Sequence, residues 1–338
     1  MTNYTQRARD IAERVLLPAA NPVDGEGKIP PSHFEALAAA GFYGISAPPE
    51  LGGPDLSIDD RADLLETLNG GCLATAFTWA QHGGLVTHLA TSPNTALREI
   101  YWDGLVNGSI KGGITGAGAA PQPPLLYARR TDDGYVLNGV APFVTGWDII
   151  DVILIFARDE IDDSIVEVLI DARSSKGASV QALPLIAARA SNTVRIRFDN
   201  FHVANDRVCN VITRDEFMAG EIILSRFNAS MPLGIARRCL TELEKREVDT
   251  TEFAAQLSTV RDHLNATLSG GFDCHLARAE AMALAVRAAT ALMAATGSSS
   301  SVEGNTAERL VREAMLAMVV GSRPEIRTAL LGQLTAAS

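Results

Sequence analysis

The chain has 338 residues, of which 47 % are hydrophobic and 20 % are charged, and this length can bury a large core in two or three domains. Its formal net charge of -11 argues against binding to nucleic acid or to anionic membranes, which relies on clustered Lys and Arg. The four cysteines are widely spaced, no histidine pair has metal-ligand spacing, and the first residues lack an apolar signal-peptide core, so we expect a reduced cytoplasmic protein without a metal site.

The spacing of the apolar residues divides the chain into three predicted regions. Over residues 1–108 they recur every three or four positions, as at Phe34, Leu37 and Ala38, which predicts an N-terminal helical domain. Residues 109–212 contain β-branched runs between Gly and Asp turns, which predicts a central antiparallel β-domain. The helical spacing returns over residues 213–338 and predicts a C-terminal helical bundle. The fold class is therefore predicted to be α+β.

Four strings in this order resemble motifs of the acyl-CoA dehydrogenase superfamily. Residues 47–53 (APPELGG) resemble its Pro-Glu-x-x-Gly-Gly loop, and residues 138–146 (NGVAPFVTG) resemble its Asn-Gly-x-Lys-x-Trp-Ile-Thr-Asn strand. Residues 188–193 (ARASNT) are similar to its Gly-x-Arg-x-Ser-x-Thr turn, and residues 307–314 (AERLVREA) to its Glu-Arg-x-x-Arg-Asp-Ala helix. The resemblance implies an acyl-CoA dehydrogenase-like fold, an FAD cofactor, an acyl-CoA-like substrate and a homodimer or homotetramer.

The resemblance also implies where the β-domain would contact FAD. Residues 112–120 correspond to the family's flavin-binding turn, in which Thr115 offers a hydroxyl group and Gly116 allows close approach of the backbone. Phe143 stands where the wall strand of the family has Trp, and Thr145 follows it. Without the resemblance, a run of Gly and Ala like residues 112–120 is typical of a flexible loop.

Further FAD contacts are implied on the C-terminal bundle, partly from a neighbouring subunit. Their counterparts here are Arg246, Gln256 and Gly297. The string around Arg246 departs from the family pattern, with an apparent deletion after it, and Arg246 is equally well explained as a solvated charge beside Glu244 and Glu247.

The catalytic base is missing from both positions that the family uses. Removing the α-proton of an acyl thioester requires a carboxylate. Val320 occupies the more common position, and the alternative position on the first helix of the bundle falls on Leu224 or on Ser225. Glu221 lies four residues before Ser225 and is the candidate replacement, although an acidic residue in a first helical turn is also explained by the helix dipole.

Three other charged or polar residues are weaker candidates for the site. His82 could face a substrate channel, but a histidine in such a helix is more often a structural residue with satisfied hydrogen bonds. Arg323 and Glu325 are predicted to be solvated, with Pro324 breaking the helix between them.

The leading functional hypothesis is an FAD-dependent oxidoreductase of the acyl-CoA dehydrogenase type. The absent base leaves two alternatives open: a flavin-dependent monooxygenase on the same fold, which needs no α-proton base, and a non-catalytic subunit of a mixed oligomer whose partner carries the carboxylate. The sequence does not identify the acyl group or the electron acceptor.

Overall fold

Residues 3–335 are described by a computed structural model, and they begin with a layer of helices. The outermost ends of the first and third predicted regions, residues 1–2 and 336–338, lie outside the described residues. A π-helical turn at Ala12–Leu16 joins the first two helices. The N-terminal helices are α1 (Asn3–Ile11), α2 (Leu17–Glu26), α3 (Pro31–Ala39), α4 (Ile58–Asn69), α5 (Leu73–Ala90) and α6 (Thr95–Asn107).

Eight strands follow and form one mixed sheet. They are β1 (Gly112–Thr115), β2 (Leu126–Thr131), β3 (Gly134–Val144), β4 (Val152–Asp159), β5 (Ile165–Asp171), β6 (Ala178–Ala182), β7 (Val194–Ala204) and β8 (Val208–Ile212). The order is β6-β7-β3-β2-β4-β5-β8, and β1 pairs with β4. The pairings are antiparallel except those of β4 with β1 and β2, so the prediction of a purely antiparallel domain is wrong at these two pairings.

The chain then returns to helices, and the predicted α+β class is confirmed. The C-terminal helices are α7 (Arg214–Ala219), α8 (Glu221–Glu244), α9 (Thr251–Thr267), α10 (Cys274–Thr296), α11 (Thr306–Ala317) and α12 (Pro324–Thr335). In the described part of the chain, the segment Cys274–Ser301, which contains α10, is the one long and apolar enough to cross a membrane by length and composition. Because α10 packs against α8, α9, α11 and α12, its apolar residues form the centre of the bundle.

The two helical layers meet through α4 and α8, whose backbones approach closely at two glycines. A Cβ atom on Gly234 would lie 2.4 Å from the carbonyl oxygen of Glu66, and one on Gly70 would lie 2.9 Å from the carbonyl oxygen of Gly234. Only glycine at these positions allows such an approach. The contact fixes the position of α8, on which the candidate base lies.

Candidate functional site

The turn after β1 is held rigidly against the β-domain. The buried guanidinium group of Arg158 donates two hydrogen bonds to the carbonyl oxygen of Ala119, at 3.2 and 2.9 Å. On the other side, a Cβ atom on Gly116 would lie 3.5 Å from the ring of Phe217 in α7. The turn is therefore fixed by packing and hydrogen bonds, and it is not the flexible loop that its composition alone suggested.

Next to this turn, the strand that carries an exposed aromatic ring also carries or contacts several hydroxyl groups. The Thr115 hydroxyl donates to the carbonyl oxygen of Phe143 at 2.8 Å, and the Phe143 side chain is 54 % exposed. Two residues further on, the buried Thr145 hydroxyl lies 3.2 Å from that of Thr193, which lies 2.9 Å from that of Ser191. The structure thus brings together the four predicted FAD contacts of the β-domain, namely Thr115, Gly116, Phe143 and Thr145.

These residues fit a flavin. An exposed aromatic ring on a soluble domain tends to be covered by another apolar or aromatic group, and a planar ring system can stack on it. The hydroxyl groups of Thr115 and Thr145 can each take part in a further hydrogen bond, as a ligand with polar ring atoms requires.

The three predicted contacts on the bundle lie on other elements. Arg246 follows α8 and donates to the backbone of Glu242 at 2.6 Å, so its partner is Glu242 and not the expected neighbours. Gln256 lies on α9, accepts from Arg287 at 2.9 Å and lines a surface groove of about 430 Å³. Gly297 ends α10 with a positive φ of 74°. Because α9 packs against α8 and α10, Gln256 belongs to the helical bundle.

Both usual positions of the base hold side chains that cannot accept a proton from carbon. Val320 lies in the turn after α11 and packs partly against the helical core. Leu224 is 53 % exposed on α8, and Ser225 is buried with its hydroxyl donating to the backbone of Cys274. None of these three positions therefore supplies a carboxylate.

Glu221 is the first residue of α8, and its carboxylate lies between the side chains of Arg323 and His275. Its Oε1 atom lies 2.6 Å from Nε of Arg323 and 3.6 Å from Nε2 of His275. The Arg323 side chain is 21 % exposed and its Nη1 lies 3.3 Å from the sulfur of Met218, so the prediction that Arg323 is solvated is wrong. The turn that carries Val320 also carries Arg323. The carboxylate of Glu221 therefore lies beside the turn in which Val320 replaces the expected glutamate.

Position 278 holds a second arginine that sequence reasoning did not single out. Arg278 is 1 % exposed on α10, and its Nη2 donates to the carbonyl oxygen of Val320 at 2.8 Å. Burial lowers the pKa of this guanidinium group to about 10. The one available signal was an arginine within a run of apolar residues and alanines, which does not reveal whether the side chain is buried.

His82 is a structural residue, as predicted. Its Nδ1 accepts from the backbone of Gly112 at 2.9 Å and its Nε2 lies 3.1 Å from the carbonyl oxygen of Leu105, so the ring is satisfied as a neutral donor at Nε2. Burial lowers the pKa of His82 to about 4. Within residues 3–335 no group of three or more His, Cys, Asp or Glu could hold a metal ion.

Comparison with known proteins places these features in context. Residues 2–109 match the model of the acyl-CoA dehydrogenase N-terminal domain. The mitochondrial isovaleryl-CoA dehydrogenase of Arabidopsis thaliana is 22 % identical over 249 residues, covering 70 % of this chain and 61 % of that enzyme. The matched region thus spans about three fifths of that curated relative.

Solved structures share the fold over nearly the whole chain. The butyryl-CoA dehydrogenase of Megasphaera elsdenii superposes with a TM-score of 0.82 at 19 % identity, covering 99 % of both chains. The FAD complex of PigA superposes with a TM-score of 0.80 at 18 % identity, covering 99 % of this chain and 98 % of that one.

Proposed function

Because the chain belongs to the acyl-CoA dehydrogenase superfamily, we propose that it is an FAD-dependent oxidoreductase acting on an acyl thioester. The observation that carries this proposal is the half-exposed ring of Phe143 on a strand whose backbone at Phe143 accepts from the hydroxyl group of Thr115 and which carries the hydroxyl group of Thr145 two residues further on. The relatives named as acyl-CoA dehydrogenases and the FAD complex of PigA support the choice of substrate class and cofactor.

In this proposal each residue of the β-domain has a separate task. Phe143 would offer an aromatic surface for the flavin to stack on, while Thr115 and Thr145 would offer it hydrogen bonds. FAD, when bound, supplies the acceptor for the hydride that leaves the β-carbon of the acyl group. Arg158 acts indirectly, because its hydrogen bonds to Ala119 keep the Gly116 turn in place.

The α-proton needs a base, and Glu221 is the carboxylate we assign to that task. It lies on α8 four residues before Ser225, on the same continuous helix, and beside the turn that contains Val320. The ion pair with Arg323 keeps the carboxylate in one position. A substrate entering this region would have to separate Glu221 from Arg323 or share the carboxylate with it.

The same ion pair favours a second candidate, a non-catalytic subunit of a mixed oligomer. A carboxylate already paired with Arg323 and close to His275 is not free to contact a substrate. In that case FAD would still bind, and a related partner subunit would supply the base. No contact in the structure specifically favours the monooxygenase alternative.

Absorbance spectroscopy separates these functions. The purified protein, or the protein after FAD is added, should show a flavin spectrum, and anaerobic mixing with a panel of acyl-CoA thioesters should bleach it. Phe143→Ala should weaken FAD binding about tenfold, since an aromatic contact contributes about 0.5–1.5 kcal/mol beyond its area. A protein that takes up no FAD refutes the flavoenzyme proposal. Bound FAD that no thioester bleaches refutes the dehydrogenase and leaves the non-catalytic subunit and the monooxygenase.

A further inference from the structure

Arg278 differs from every other buried arginine in the described part of the chain. Four of the five buried arginines form ion pairs with Asp or Glu: Arg158 with Asp163, Arg226 with Asp59, Arg238 with Glu13 and Arg309 with Glu313. Arg278 is the most buried of the five, at 1 % exposure, and no carboxylate of residues 3–335 pairs with it. A buried charge without a counter-charge is strongly unfavourable, so a ligand that brings an anion would be favoured here.

The guanidinium group also retains unused hydrogen-bond donors. Its Nη2 donates to the carbonyl oxygen of Val320, while its buried Nε has no partner among the described residues. Arginine presents its donors in a planar fork that matches the two oxygens of a carboxylate. The free edge of Arg278 is therefore suited to a planar anion.

A second donor converges on the same place. The position that a Cβ atom on Gly321 would occupy lies 3.3 Å from Nδ2 of Asn228 and 3.7 Å from Nη2 of Arg278. Among residues 3–335 the Asn228 side chain has no hydrogen-bond partner, and Gly321 is exposed. An exposed glycine with a φ of 61° thus lies next to both an amide donor and a guanidinium group.

We propose that Arg278 and Asn228, beside Gly321, form a subsite for a carboxylate carried by the acyl group of the substrate. This inference rests on the proposed function, because Val320 occupies the position at which related enzymes hold the base next to the reacting carbons. A carboxylate that reaches this position must lie only a few bonds from the thioester. The favoured substrates are therefore thioesters of short dicarboxylic acids.

Calorimetric titration of the FAD-loaded protein with two matched probes tests the subsite. Succinyl-CoA and butyryl-CoA both have four-carbon acyl groups and differ in a terminal carboxylate. We expect succinyl-CoA to bind at least about tenfold more tightly, as a hydrogen bond to a charged group implies. Arg278→Met should remove this preference and Asn228→Ala should reduce it. Arg327→Met, at an exposed position of α12, is the matched control and should preserve it.

The possible results point to different conclusions. If no thioester of the panel binds, the proposed function fails, and this inference fails with it; if other thioesters bind but these two do not, only this inference fails. If both bind with equal affinity, or if the preference survives in folded Arg278→Met, only the subsite is refuted. Titration with sodium succinate in the presence of butyryl-CoA tests whether the subsite binds a free carboxylate anion. If it binds through Arg278 while succinyl-CoA shows no preference, the assignment to the acyl group is overturned.

Discussion

The substitution Glu221→Gln tests the proposed base most directly. It replaces a carboxylate by an amide of nearly the same shape, so the side chain loses its ability to take a proton. A positioned general base typically contributes 10²- to 10⁴-fold to the rate, which corresponds to about 3–5 kcal/mol of the activation free energy. The loss of the ion pair with Arg323 is a separate and smaller effect. Both side chains are partly buried, at 12 % and 21 % exposure, and we expect about 1 kcal/mol in folding stability.

The assay is anaerobic stopped-flow measurement of flavin reduction by an acyl-CoA that bleaches the wild-type protein. Glu221→Gln should lower the rate of bleaching at least 100-fold while FAD binding and the thioester dissociation constant change little. Asp215→Asn, an exposed acidic residue in the first turn of α7, is the control and should bleach at the wild-type rate. A Glu221→Gln protein that reduces its flavin within a few-fold of the wild-type rate contradicts the assignment and leaves the helix-dipole explanation.

Two further predictions concern stability. Gly234→Ala should destabilise the fold by about 1–3 kcal/mol, because its Cβ atom would lie 2.4 Å from the carbonyl oxygen of Glu66 and push α4 away from α8; an unchanged calorimetric Tm contradicts this. His82 has a folded-state pKa of about 4, below its unfolded value of about 6.5. Between these pH values the unfolded chain binds more protons than the folded one. The free energy of unfolding therefore falls by about 3 kcal/mol as the pH drops from 6.5 to 4. In His82→Gln, the free energy of unfolding measured by urea denaturation should depend less on pH over this range. An unchanged pH dependence shows that His82 does not cause it.

The sequence predicted the fold more completely than the site, for physical reasons. Ordered strings and the change from helical to strand spacing reflect local chemistry, and this was enough to predict the three regions. The parallel pairing of β4 with β1 and β2 depends on which distant strands meet, and turn residues do not encode it. Only the resemblance to family motifs indicated Thr115 and Phe143 as candidate FAD contacts.

The environment of the arginines could not be predicted, because it depends on packing between helices. α10 is buried on most sides, so its apolar pattern has no polar face against which Arg278 stands out. Arg323 follows a turn and precedes Pro324, which is typical of a solvated residue, yet α8 places Glu221 against it. In both cases the partner comes from a segment more than forty residues away in the sequence.

The replacement of the usual base by Val320 and the unpaired charge of Arg278 can be tested together with Val320→Glu. The backbone oxygen of Val320 already accepts from Arg278 at 2.8 Å, so a glutamate side chain at this position can reach the guanidinium group. Its carboxylate would take the place that we assign to the carboxylate of the substrate. We therefore expect Val320→Glu to abolish the preference for succinyl-CoA over butyryl-CoA. Val319→Glu adds the same charge at an adjacent position that is 57 % exposed, and it should leave the preference intact. If Val320→Glu keeps the wild-type preference, the anion is not bound at Arg278, and the buried charge needs another explanation.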